Sequence, residues 1–174
     1  MRHIALFSQT GSEIANLIER GISPDVILSD QKDSSKIDSR LSLTAESQIL
    51  KNDVKSVEYL RDCFGDPSTC YITLHGWLNI IPREICQEYD IYNGHPGLIT
   101  EFECLKGKDP QVRAYDGGYA TIGSVVHKVT PIVDDGEVLE WTATYQDEFD
   151  NLDDTFVKLK HCSFSAWSKF FDKQ

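Results

Sequence analysis

Short unbroken apolar runs alternate along this chain with stretches whose apolar residues return at helical spacing. Ile4 to Phe7 is such a run; it stops at polar Ser8-Gln9-Thr10 and gives way to Ile14, Leu17 and Ile18. That order predicts strand, loop and helix. Thr10-Gly11-Ser12-Glu13 fits a capping box at the helix start, and Gly21 marks its end. Val26-Ile27-Leu28 follows Pro24 as a second buried strand, and the polar stretch from Ser29 to Leu43 reads as an exposed loop.

The same alternation continues downstream. Ile49, Leu50, Val54, Val57, Tyr59 and Leu60 among charges predict an amphipathic helix over Ala45 to Cys63, and Cys70-Tyr71-Ile72-Thr73-Leu74 a third strand. Pro82 to Glu88 reads as a short helix, and Ile91-Tyr92 as a fourth strand ending at Asn93. After a long charged, Gly-containing loop from Thr100 to Ala120 come two strand patterns, Ser124 to Val129 and Val138 to Tyr145, with Asp135-Gly136 in the turn between them. Leu152 to Phe171 closes the chain as a helix. Strands alternating with helices early and a strand pair late predict one α/β domain over residues 1–174, a sandwich on a mostly parallel sheet. In such sheets ligands sit beyond the carboxyl ends of the strands, where both Gln9-Thr10-Gly11-Ser12 and Asn93-Gly94-His95 lie.

Charge then narrows the function. With 17 basic and 28 acidic side chains the formal charge is −11, a field that repels phosphate polymers, so a nucleic-acid partner is not expected. The five cysteines, Cys63, Cys70, Cys86, Cys104 and Cys162, form no CxxC pair, and predict reduced thiols in a cytoplasm rather than a disulfide framework or thiolate metal site. The amino-terminal apolar run is too short for a signal-peptide core or a membrane span, so a soluble, membrane-free protein is expected. His75 and His95 lack a paired spacing and a third ligand, and no metal is predicted.

Asn93, His95 and Asp134 combine an amide, an imidazole and a carboxylate, each on a turn beside an apolar run. When an amine attacks a formyl carbon, an oxyanion develops and a proton leaves the nitrogen. An amide and an imidazole can stabilise the oxygen, while a carboxylate orients the imidazole and raises its basicity. The same residues also read as ordinary turn formers, Asn-Gly, Pro-Gly and Asp-Gly.

The segments Ile91-Tyr92-Asn93-Gly94-His95-Pro96-Gly97-Leu98, Gly123 before Val125-Val126-His127-Lys128-Val129, and Asp134-Asp135-Gly136-Glu137-Val138-Leu139 resemble the 10-formyltetrahydrofolate-dependent formyltransferases. Two separated motifs, Asn-x-His-Pro and Asp-x-Gly, occur in the family's order. The resemblance implies a Rossmann-like fold, 10-formyltetrahydrofolate as formyl donor without a metal, and a small-molecule amine as acceptor. It makes Asn93, His95 and Asp134 the catalytic set. Leu78, Asn79 and Ile80 on one side, with Val138, Leu139 and Glu140 on the other, become the folate walls, although apolar runs of this kind are commonly core. Thr10, Gly11, Ser12 and Glu13 stand where the small-molecule branch carries its phosphate-binding loop.

Three departures bear on the acceptor. Glu13 replaces a neutral residue beside that phosphate, Val125 replaces a polar residue, and Pro110-Gln111-Val112-Arg113-Ala114 resembles the segment of the tRNA and sugar branches. A phosphate-bearing glycinamide ribonucleotide, hence purine synthesis, is the leading acceptor implied. An amino sugar or modified nucleotide, a folate hydrolase using water, and a binding module without chemistry are the alternatives. Arg113 and Lys108 read as solvated charges by default and otherwise as candidate clamps for a phosphate or the folate tail, and His127 reads as a core imidazole.

Overall fold

The computed structural model describes residues 1–43, 47–49 and 54–173. Its contacts group the chain into two compact units: Met1–Asn93 with Val129–Pro131, and Gly94–Lys128 with Ile132–Gln174.

The first unit is a parallel α/β array. Strand β1 (Arg2–Phe7) leads to helix α1 (Ser12–Glu19), β2 (Val26–Ser29), β3 (Ser47–Ile49), α2 (Val57–Phe64), β4 (Cys70–Leu74), α3 (Arg83–Glu88) and β5 (Asp90–His95). The strands lie in the order β3-β2-β1-β4-β5, with Ile4 opposite both Val26 and Ile72, and Ile72 opposite Ile91. The chain moves outward from β1 to β3 and returns on the other side at β4, so the carboxyl ends of β1 and β4 flank the point where the winding reverses. Continuous apolar strands are what a sheet covered on both faces requires. Ile4, Leu6, Ile72 and Ile91 pack with Leu60 and Phe64 of α2, while Ala5, Phe7 and Ile27 pack with Ile14 and Ala15 of α1. Ile4 and Leu6 are fully buried, each contributing roughly 1.5–3 kcal/mol of hydrophobic stabilisation.

The second unit holds a 3₁₀ turn (Glu103–Leu105), helix α4 (Pro110–Asp116), the antiparallel pair β6 (Thr121–Lys128) and β7 (Val138–Tyr145), and the long helix α5 (Leu152–Phe171). Asn151 caps α5 in a box with Asp154, each side chain accepting a backbone N–H of the other. Leu98, Ile99, Leu105, Ala114, Ile122, Val125 and Leu159 form this unit's core.

The α/β class, the parallel strands, α3 and α5 agree with the sequence pattern, and Gly21 closes α1 in the left-handed region at φ 86. Several local expectations do not hold. The helix expected over Ala45 to Cys63 begins only at Val57, where Ser56 accepts the Tyr59 N–H as its cap, and Ser47–Ile49 is a strand paired with β2. Leu50 and Ala45 lie outside the described residues. The stretch after Ser29 is a mostly exposed loop, as expected, built on two 3₁₀ turns, with Leu41 its exception in the α1-side core. Within Thr100 to Ala120, Pro110 starts α4, where a missing N–H costs nothing. Strand β5 runs past Asn93 to His95.

Candidate active site

In the second unit, the end of β5 and the β6–β7 connection place one carboxylate against two imidazoles. Asp134 Oδ2 lies 3.3 Å from His95 Nδ1, and Oδ1 lies 3.3 Å from His127 Nε2. The Gly107 N–H donates to Asp134 Oδ2 at 2.7 Å. Asp134 takes φ 52, a left-handed backbone that Asp tolerates better than most side chains and that here turns its carboxylate toward both rings. His95 Nε2 donates to the Leu105 carbonyl at 2.9 Å, and His127 Nδ1 to the Lys128 carbonyl at 2.9 Å. A carbonyl only accepts, so each ring holds a proton on its carbonyl-facing nitrogen, and the nitrogen facing Asp134 gains one when the ring becomes an imidazolium.

Electrostatics fit this arrangement. Burial pushes the His95 imidazole below its ordinary value of 6.5, opposed by the Asp134 charge and the Leu105 hydrogen bond. Burial also pushes the Asp134 carboxyl up, but its bond to His127, the His95 charge and the Gly107 N–H together outweigh that and hold it below the usual carboxylate range. Asp134 is thus a carboxylate near neutrality, next to a ring that is mostly neutral and ready to take a proton on Nδ1. The backbone beneath is pinned by Arg113 of α4, whose guanidinium donates to the carbonyls of Cys104, Leu105 and Lys106.

Asn93 belongs to the first unit, on β5 two residues before His95, with its side chain partly buried. Also in that unit, the loop after β1 differs from the expected capping box. Gly11 is the N-cap, at φ 70, where an added Cβ would come within 2.5 Å of Leu41 Cδ1, and the Thr10 hydroxyl bonds Ser12 Oγ at 3.1 Å. Gly11 holds the cap position, and Glu13 reaches across to the residue just past β4, its Oε2 2.8 Å from His75 Nδ1. His75 Nε2 meets Thr73 Oγ1 at 2.9 Å, which meets His3 Nε2 at 2.8 Å. Glu13, His75, Thr73 and His3 form a polar ladder beneath the reversal point of the sheet.

Beyond β4, Leu78 and Ile80 are 69% and 70% exposed, while the Asn79 amide donates to Asp30 Oδ2 at 2.7 Å and the Leu78 N–H to Ser8 Oγ at 3.0 Å. Trp77 Nε1 and Asp30 Oδ1 are buried without a hydrogen-bond partner among the described residues. In the second unit Val138 is half-buried, Leu139 exposed, and the buried Glu140 carboxylate is paired with Lys173, just past α5.

The structure therefore brings His95 and Asp134 together and adds His127, which the sequence read as a core imidazole. It also shows that Arg113 clamps backbone carbonyls, whereas the sequence cast it as a clamp for a ligand. His75, just past the end of β4, is buried rather than at the surface, and Thr73 within the strand is a polar signal in an apolar run that could have drawn attention. Among the described residues no group of three or more His, Cys, Asp or Glu is arranged to hold a metal, and no helix is long and apolar enough to cross a membrane.

A carboxylate set against an imidazole at the end of β5 is an arrangement chemically able to exchange a proton. Residues 31–164 match the formyl transferase family model, and the chain belongs to that family. Formyltetrahydrofolate deformylase 2, mitochondrial, of Arabidopsis thaliana is 30% identical over 86 residues, which is 48% of this chain and 25% of that protein. The chain thus spans about a quarter of the length of the curated relatives it matches. Among solved structures, phosphoribosylglycinamide formyltransferase from Streptococcus pneumoniae superposes with a TM-score of 0.82 at 20% identity, covering 97% of this chain and 96% of that one. A formyltetrahydrofolate deformylase from Pseudomonas syringae pv. tomato gives 0.77 at 16%, covering 97% and 59%. At these identities the structural likeness speaks for the fold.

Proposed function

We propose that this protein moves the formyl group of 10-formyltetrahydrofolate to the primary amine of a small molecule, with Asn93, His95 and Asp134 as its catalytic residues. The observation that carries the reading is the carboxylate of Asp134 against the imidazole of His95 in a chain of the formyl transferase family. The His95 Nε2–H, now held by the Leu105 carbonyl, is the donor to the formyl oxygen as negative charge develops there, and the Asn93 amide is the second donor. Asp134, set against Nδ1, orients the ring and stabilises it whenever that nitrogen is protonated. The amine nitrogen bonds to the formyl carbon, the bond from that carbon to the folate nitrogen breaks, and the proton lost by the amine passes to the departing folate nitrogen.

The residues after β4 fit a folate. Exposed Leu78 and Ile80 offer apolar surface, and Trp77 Nε1 and Asp30 Oδ1, unpartnered among the described residues, offer one donor and one acceptor to a heterocycle bearing both kinds of group. Val138, Leu139 and Glu140 stand as the second wall in this reading.

For the acceptor, Thr10, Gly11, Ser12 and Glu13 remain the proposed contact. The Glu13 carboxylate beside the start of α1 opposes an anion there, so an acceptor without phosphate at that end, such as an amino sugar, is favoured over glycinamide ribonucleotide. A hydrolytic reading, with water in place of the amine, is favoured by the names of the curated relatives. Turnover of a 10-formyl folate analogue, followed by absorbance with and without candidate amines and with His95→Ala as blank, separates them. Turnover that requires one amine supports transfer, turnover without any amine supports hydrolysis, and no turnover under either condition overturns both.

A further inference from the structure

We propose that Trp167, on α5, is a positioning residue for His95: its indole fills the space in which a side chain at position 94 would stand, and so sets the pleat that carries the imidazole. A Cβ added to Gly94 would overlap Trp167 Nε1 and lie 3.0 Å from Cε2 and 3.2 Å from Cζ2. In an extended strand successive side chains leave opposite faces, so position 94 faces away from the side on which 95 projects. A bulky group against the backbone at 94 can press on this segment from the face opposite the imidazole.

The indole has no room to retreat. Trp167 is 0% exposed, meets Phe170 edge-on at a centroid distance of 5.5 Å, and stacks on Phe171 at 5.7 Å. Its helix is tied to the antiparallel pair by the Ser124 hydroxyl donating to the Leu159 carbonyl and by Lys169 donating to the Trp141 carbonyl, and the residues just past it by the Lys173–Glu140 pair. Gly94 and Trp167 are therefore complementary in volume: the smallest residue faces the largest, and neither can change alone. Catalytic geometry is intolerant of this kind of displacement, since a shift of about 1 Å lowers rate by about a hundredfold. The closing helix thus belongs to the support of the reaction, far from His95 in sequence.

The inference rests on the formyl-transfer reading, and its test keeps the two apart. Trp167→Phe, Trp167→Leu, Gly94→Ala and the double variant Trp167→Leu with Gly94→Ala are compared with the unaltered protein for kcat, KM for the formyl donor, melting temperature and the His95 ring resonances through a pH titration. The expected result is a kcat about tenfold lower in Trp167→Phe and about a hundredfold lower in Gly94→Ala, KM within about twofold, and a double variant at least about tenfold better than Gly94→Ala. Folded single variants that keep kcat within about twofold, or a double variant whose losses merely add, overturn it. If the unaltered protein has no turnover, the formyl-transfer reading falls, and the titration decides: a displaced His95 titration in folded Trp167→Phe sustains the positioning, and an unmoved one overturns it.

Discussion

Asp134 holds its backbone at φ 52, and in that conformation its Oδ2 stands 3.3 Å from Nδ1 of His95. The same carboxylate reaches His127 through its other oxygen and takes the Gly107 N–H, so its position is fixed from three directions. Asn tolerates the left-handed region about as well as Asp, and Asp134→Asn should fold. It removes the charge that stabilises His95 as an imidazolium. Turnover of the formyl folate should fall by roughly a hundredfold or more, with the His95 titration displaced further below 6.5 in an NMR pH series. An unchanged titration would show that Asp134 does not act on the ring.

Gly97 faces His95 from the other side of the turn. An added Cβ there would come within 2.8 Å of His95 Nε2, closer than side chains approach one another, and 3.1 Å of Pro110 Cβ, a tight contact. Gly97→Ala is therefore expected to tilt the ring away from the position in which Nε2 donates, lowering kcat by roughly tenfold or more while costing about 1–3 kcal/mol of stability for overpacking. Steady-state kinetics with a urea titration on the same preparation separates the two effects.

These two glycines show what the sequence could and could not reveal. Asn93-Gly94-His95-Pro96-Gly97 was legible as a candidate site because its side chains carry chemistry, but its glycines read only as turn formers. Their purpose depends on Trp167 and on the His95 ring itself, and no local pattern reports what a missing side chain leaves room for. Strand and helix order was legible because period and length separate β1, β4 and α5 cleanly. The start of α2 was not, since Ile49 continues a helical period that parallel pairing with β2 overrides. Glu13 was misplaced for the same reason: a capping box is a local pattern, whereas its bond to His75 joins residues 62 apart.

Acid should destabilise the protein through His3. Burial, with the nearby His75 charge, pushes the His3 imidazole down to about 3, against a smaller upward pull from Asp25. A folded value below the unfolded 6.5 means that the unfolded chain binds the proton first, so the contribution is complete above 6.5 and is lost as pH falls from there toward the folded value. The loss approaches about 1.4 kcal/mol per pH unit in that window. His3→Asn should lower stability at neutral pH yet flatten its decline between about pH 6 and pH 4, as measured by chemical denaturation at a series of pH values. An equal slope in both proteins would remove His3 from the acid response.

The acceptor end gives the last prediction. Glu13 lies in the first turn of α1, where the positive end of the helix would otherwise attract an anion, and His75 holds its carboxylate in place from a buried position just past β4. The unaltered protein should consequently gain little melting temperature from inorganic phosphate or ribose 5-phosphate. Glu13→Gln keeps a hydrogen-bonding partner for His75 while removing the repelling charge, so it should bind either phosphate at least about fivefold more tightly, the scale of a charge effect at a helix terminus. It should also improve the ratio of turnover with glycinamide ribonucleotide to turnover with its unphosphorylated riboside. Equal phosphate affinity in the two proteins would mean that Glu13 does not govern what the loop accepts, and glycinamide ribonucleotide would return as the leading acceptor.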